Sequence, residues 1–491
     1  MVIKLPINAG WMPDLSYKEI AEKGGLAIAK NIIPVSGNYL SVMDKATFCD
    51  IAPSGTPING ICVQDTNGEY YNFLGTSTKL YRFNKGNMTD ITRTTGNYTA
   101  STWNFEQYGN WLIATDFSDD IQVLKGLTAA NFQALGGSPP KAKFILMNNG
   151  YLIAANLNEG GVLKPKKIKW SGLENIETWA IDPAGTGADE QEFPDMIGNI
   201  TGIGAIGKNF IIASEYSLTL GYHDPSGVYI FRFERNYVKN IGCFYPQSLI
   251  SIGNALFFWS RDSIYMVDQS GAVREIGQNI KRTVFSDINV GNAFRITTAH
   301  DFRNGLVMWA YPMASSTYPN RILVYNYLED RFTHVDIDCY ALWIGAIGGI
   351  SIDELTTTGV DGTYIPIDSN YWYNNQLQPM VADTADSKVK TASGNVLPVE
   401  VMTGEIMDTP NRLLARKAYV GIENAVGGSV VVKHRNSPLQ SYSSSASSSV
   451  KSDGSVDLLT SNNRLAFDIQ ASGFTKLGNE IEIDIVKRGQ A

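Results

Sequence analysis

The sequence predicts an all-β chain: a β-propeller, six blades preferred and seven allowed, followed by a β-sandwich-like C-terminal region. Three observations predict it. Short apolar runs follow tight Asn/Gly turns at a recurring interval. Gly (46), Tyr (24), Phe (20) and Trp (9) are plentiful while charged residues make up only 18%, which excludes a disordered chain and a charge-laced coiled coil. Residues 376–491 switch to apolar/polar alternation, the period of half-buried strands. A chain of 491 residues exceeds the roughly 100 to 200 of an ordinary domain. Three segments are therefore expected: an N-terminal arm or platform (1–50), the propeller (51–375) and the sandwich-like domain (376–491).

The arm combines an amphipathic stretch, Tyr17 to Ala29, with an extended segment around Pro34 and Tyr39. Six hairpin signals follow. Asn67-Gly68, Gly109-Asn110, Asn149-Gly150, Gly207-Lys208-Asn209, Gly253-Asn254 and Asn304-Gly305 each precede a short apolar run, as in Tyr151-Leu152-Ile153-Ala154. Asn and Gly accept positive φ cheaply, so these dipeptides favour tight hairpins. A second strand follows each run, for example Ser263 to Val267 or Arg321 to Tyr325. The turns recur at roughly 40 to 58 residues, the interval of four-stranded blades. Ile203-Gly204-Ala205-Ile206-Gly207 returns letter for letter as Ile344-Gly345-Ala346-Ile347-Gly348. Such small residues suit inner strands crowded near an axis, and the later copy suggests that the region to about residue 375 completes the ring. An acidic insertion, Asp182 to Asp195, is expected on the surface, and the Ser-rich tract 441–452 as a mobile hairpin loop.

Forty Lys plus Arg against 48 Asp plus Glu leave a net charge of −8 and a pI near 5.2. A protein that wraps a duplex needs dense basic surface, so wrapping is disfavoured. Four cysteines and four histidines are scattered without ligand spacing, and no cofactor or metal site is legible. Charged residues interrupt Met1 to Gly25, which points to a chain made in the cytoplasm with no export signal or membrane span of its own.

No GxSxG, P-loop or HExxH is present, and the chain reads as a non-enzyme. Asp119-Asp120, Asp189-Glu190 and Glu329-Asp330 are adjacent carboxylates that strands would point to opposite faces, a poor acid/base arrangement. Trp103, Trp111, Trp259, Trp309 and Trp343 read as core between blades, and His223 as a turn residue. The interface candidates are Tyr371, Trp372 and Tyr373, an aromatic run among asparagines, and Lys164, Lys166 and Lys167 of the one basic cluster, which also suits a solvated strand edge.

The stretch Lys239-Asn240-Ile241-Gly242-Cys243-Phe244-Tyr245-Pro246-Gln247-Ser248, then Gly253 to Trp259, Asp262-Ser263-Ile264-Tyr265 and Ile276 to Ile280, resembles the propeller of short-tailed bacteriophage tail nozzles. That family includes tail tubular protein B and the P22-type packaged-DNA stabilisation protein. Asn31 to Val35 with Gly37-Asn38-Tyr39 is similar to its N-terminal leader, and Arg464 to Phe467 with Gly478 to Ile485 to its closing strands; Ser263 departs from the usual Gly. The resemblance implies a structural protein of the virion tail, forming a homo-hexameric ring below a head-to-tail adaptor protein. It implies partners among tail fibre, spike or needle proteins, and only transient lumenal contact with double-stranded DNA that the tube retains and later conducts. The alternative is a carbohydrate-binding or depolymerase-type propeller at the phage or cell surface.

Overall fold

The computed structural model describes residues 1–224, 229–347, 376–408, 411–424 and 427–488. Among them, six four-stranded antiparallel meanders follow one another in the chain, and a seventh four-stranded sheet completes the set. Blades one to six span 57–90, 104–134, 141–192, 200–239, 250–275 and 297–335. Blade seven is assembled from both parts of the chain. It takes Ala341–Ile347, Gln376–Ala382 and Val389–Val396, and its fourth strand is Met43–Cys49 from the arm. The first strands contact one another in sequence around the axis, and that of blade seven returns to that of blade one. The protein is a seven-bladed β-propeller.

The preferred count of six is thereby corrected to seven, and the reason is the split blade. Its first hairpin turn carries no signal in the described residues, and its outer strand lies about 300 residues before its first. The boundary expected at 375 falls between two strands of blade seven, and the one at 50 cuts its fourth strand, Met43–Cys49, off from the rest of the blade.

The expected small inner residues lie where the ring is tightest. Gly204 and Gly345 sit on the first strands of blades four and seven, where an added Cβ would meet Leu256 at 2.6 Å and Met380 at 2.3 Å. The Asn/Gly turns do more than reverse the chain. Asn110 accepts from the Thr66 backbone N–H (3.0 Å) and donates to its hydroxyl (3.1 Å), Asn149 donates to Lys208 O (2.9 Å), and Gly207 N–H donates to Gly253 O (2.9 Å). Hairpin tips of neighbouring blades are thus hooked together.

The arm forms no separate platform. Its strands are β1 (Val2–Pro6), β2 (Leu26–Lys30), β3 (Ile32–Val35), β4 (Asn38–Ser41) and β5 (Met43–Cys49). The expected amphipathic stretch is helical only over Tyr17–Lys23, with a Ser16/Glu19 capping box, because Gly24 at φ 69° ends the helix. β1 enters one sheet of the C-terminal sandwich, against Glu480–Arg488, Arg412–Tyr419 and Ser455–Asn462. β2 lies between the fourth strand of blade six, with which it is parallel, and Val399–Thr403 of the other sandwich sheet. One continuous hydrogen-bonded sheet therefore runs from the propeller into the sandwich. Between the sandwich sheets pack Leu413, Ala415 and Ile483 against Val401, Val432 and Phe467, all buried. The strap β5 is latched at the far side. Asp383, 4% exposed, takes Lys45 at 2.6 Å and Lys390 at 2.5 Å.

The acidic insertion contributes the fourth strand of blade three, Asp189–Glu192. Part of the Ser-rich tract pairs with Ser429–Arg435, and Tyr442 lies under the Arg435 guanidinium at 4.5 Å.

Candidate functional site

A propeller offers three places for chemistry: its axis, its two faces and the wedges between blades. The first strands carry few charges, namely Glu106, Lys141, Lys143 and Asp301. Burial pushes the Glu106 carboxyl up to about 8, against a backbone N–H of Met147, and burial holds the Lys143 amine below its usual range. A cavity of about 20 Å³ at the axis is lined by Asn59, Trp103, Arg295 and Tyr340 among others, too small for a ligand. Beside it the Arg295 guanidinium lies over Phe294 and Tyr318 at 4.8 and 4.5 Å.

The residues singled out in the sequence distribute as follows. Tyr371, Trp372 and Tyr373 lie outside the described residues. The basic cluster is not one surface. Lys167, 8% exposed, pairs with Glu159 (2.9 Å) and Glu190 (2.7 Å), and Lys166 donates to Met196 O. Along Lys167–Trp170 the strand is covered by Asp189–Glu192, so only its first half is an edge. Lys164 is half-buried, opposite Leu157. The three carboxylate pairs are engaged in the framework. Asp119 binds Arg93 (3.0 Å), Glu190 binds Lys167, Glu329 accepts from Gly37 N–H (2.7 Å), and Asp330 takes the Tyr325 hydroxyl (2.8 Å) and Arg274 (3.0 Å). His223 ends a strand, its ring against Tyr151 and Phe231, so it is not a turn residue. Trp103, Trp259, Trp309 and Trp343 are buried between blades as expected; Trp111 is half-buried. Among the described residues no group of three or more His, Cys, Asp or Glu is placed to hold a metal, and no helix is long and apolar enough to cross a membrane.

Sequence reasoning missed an apolar cavity in the wedge between blades six and seven. Its volume is about 380 Å³. Leu306, Met308 and Val324 of blade six face Leu342 and Val381 of blade seven across it, and Lys45, Arg303, Asn304 and Gln378 stand at its margin. The signal was present in the alternation of blade six. In Leu306–Tyr311, Val307, Trp309 and Tyr311 join the core shared with blade five, while Leu306, Met308 and Ala310 join the wedge toward blade seven. Leu323 and Tyr325 again face one way, Ile322 and Val324 the other.

No family model and no curated protein matches the chain. Among solved structures, it is similar to the extracellular domain of a hybrid two-component system protein of B. thetaiotaomicron, with TM-score 0.41 and 11% identity over 82% of this chain and 47% of that one, so it spans about half that length. It is also similar to a chain of the mitotic checkpoint complex (TM-score 0.39, 8% identity, 72% and 95% covered). A third is the computationally designed Ika8 protein (TM-score 0.36, 12% identity, 72% and 98% covered). None of the three bears on activity.

The residues that carry the tail-nozzle resemblance have clear local roles. Gly242 admits no Cβ, because one would lie 2.3 Å from Ser214 O. Ser248, fully buried, donates to Tyr245 O (2.7 Å), accepts from Trp259 N–H (2.9 Å), and through its carbonyl accepts Trp309 Nε1 (2.8 Å). In the leader, Asn31 donates to Pro398 O (2.7 Å) and accepts from Asp336 N–H (2.9 Å), and buried Tyr39 donates to Ile7 O (2.7 Å). The first set joins blades four, five and six; the second joins arm, propeller and sandwich.

Proposed function

We propose that the chain is a structural protein of a bacteriophage tail, a nozzle subunit that assembles as a ring, retains packaged DNA and conducts it during ejection. The observation that carries this reading is the place of the resembling residues. Gly242, Ser248, Asn31 and Tyr39 are junction residues that dictate how propeller, arm and sandwich are joined, so a resemblance there concerns architecture and not a transferable active site. The continuous sheet through β2 suits a load-bearing subunit, since no flexible linker separates its two bodies. Adaptor, fibre or spike proteins would be its partners, and the net charge of −8 suits a wall that DNA passes without being gripped.

The carbohydrate reading requires exposed tryptophans with free carboxylates. Trp103, Trp259, Trp309 and Trp343 are instead buried between blades, and the adjacent carboxylates serve the framework. The deciding experiment is assembly with a head-to-tail adaptor protein, read by native mass and negative-stain microscopy. A ring of this chain on the adaptor is expected; a persistent monomer, or saturable glycan binding without ring formation, overturns the reading.

A further inference from the structure

Six of the seven wedges are filled by aromatic rings. Wedge one-two holds Phe73 and Trp103, wedge two-three Trp179, wedge three-four Trp170 and Phe210, wedge four-five Phe258, wedge five-six Trp259 and Trp309, and wedge seven-one Phe83 and Trp343. Among the described residues, the wedge between blades six and seven contains no ring. Its core is Leu, Ile, Val, Met, Ala and Cys339. The blades diverge outward by the same geometry everywhere, so a wedge built from smaller side chains leaves space, and this is where the 380 Å³ cavity lies. Apolar walls facing no partner forfeit dispersion contacts and hold water poorly.

The mouth is polar and unequal in charge. Arg303 is exposed on the hairpin turn of blade six, and among the described residues no ion pair or hydrogen bond engages its guanidinium. Its neighbour Asp301 is turned into its own loop, accepting from the Arg303 and Asn304 backbone N–H groups (3.0 and 3.4 Å) and from Asn304 Nδ2 (2.6 Å). Lys45 is held by Asp383. One uncommitted cation therefore stands at the rim of an apolar slot of the size that takes small molecules.

We propose that this wedge is a binding site for a small organic anion with a ring-bearing apolar body. The body replaces the aromatic side chains that the other wedges supply, lying between Met308 and Val324 on one side and Leu342 and Val381 on the other, and the anionic group meets Arg303. This rests only on the described wedge and is independent of the tail reading.

The test uses the whole chain and two probes, 8-anilinonaphthalene-1-sulfonate and the neutral 1-naphthalenemethanol, followed by calorimetry with fluorescence for the former. One saturable site per chain is expected for the sulfonate. Val324→Phe, which puts a ring into the slot, should weaken both probes at least about tenfold while the thermal transition holds or rises; Met308→Phe serves if Val324→Phe does not fold. Arg303→Gln should weaken the sulfonate about tenfold and leave the alcohol within about twofold. Unsaturable binding, or undiminished binding in the folded ring-filled variant, overturns the site. Equal loss of both probes in Arg303→Gln overturns the anionic class.

Discussion

Blade six has two faces that obey opposite packing rules. Toward blade five it presents Trp309, Tyr311 and Tyr325, all essentially unexposed, and Trp259 meets Trp309 at 6.0 Å and Tyr311 at 5.2 Å. Toward blade seven the neighbouring residues of the same strands, Met308, Ile322 and Val324, border open space. Strand alternation makes this asymmetry a matter of odd and even positions, so one blade serves as a rigid joint on one side and as a slot wall on the other. The weld to the sandwich is made at the edge of the same blade, where β2 pairs with its fourth strand.

The comparison breaks most readily at two adjacent residues. Trp309→Ala removes a fully buried ring and the hydrogen bond to Ser248 O, and should cost about 3 to 5 kcal/mol in urea unfolding. Met308→Ala, which loses fewer contacts because it already borders space, should cost about 2 kcal/mol, the low end for such a truncation; equal costs would mean that the two faces are packed alike.

Acid should sharpen the difference. His334, in the strand beside β2, has its pKa pushed down to about 3, chiefly by burial and then by Arg321. The unfolded chain takes up a proton near pH 6.5 that the folded state refuses, so stability falls as pH drops from about 6.5 toward 3. Between pH 7 and 5 the loss should approach about 2 kcal/mol and should shrink in His334→Phe. On the slot side, burial raises the Asp383 carboxyl, but hydrogen bonds from Lys390 and Lys45 outweigh it and hold it below the usual carboxylate range. Its contribution is present above about pH 4 and lost only below that. An unfolding profile flat from pH 7 to 5 would contradict the assignment to His334.

The smallest effect is a mirrored pair of insertions. Leu323→Phe overfills the ringed face and should cost at least about 1 kcal/mol, whereas Val324→Phe one residue later should be close to neutral. Thermal melting of the two variants side by side measures it.

Much of the propeller was legible because Asn/Gly hairpins advertise positive φ in the sequence itself; Asn149, Gly68 and Gly305 all adopt it. The seventh blade was not, since a strand borrowed from residues 43–49 leaves no local trace of its partner at 389–396. Helix propensity around Tyr17 was readable, but the partner that turns Leu26–Lys30 into a strand lies at 399–403 and no local window contains it. The same limit hid the slot. The apolar alternation of 306–311 and 321–325 was visible, yet the missing rings count only once it is known which face meets which blade. The lysine cluster misled because Glu159 and Glu190, its neutralising partners, come from flanking strands.

The borrowed strand also sets a clock. β5 leaves the ribosome early, and the strand it must pair with, Val389–Val396, follows about 350 residues later. At roughly 5 to 20 residues per second, the ring stays open for on the order of 20 to 70 seconds of synthesis. During that interval the N-terminal strap waits without its partner, so slowed translation or scarce chaperones should lower the yield of soluble protein before any change in its final stability.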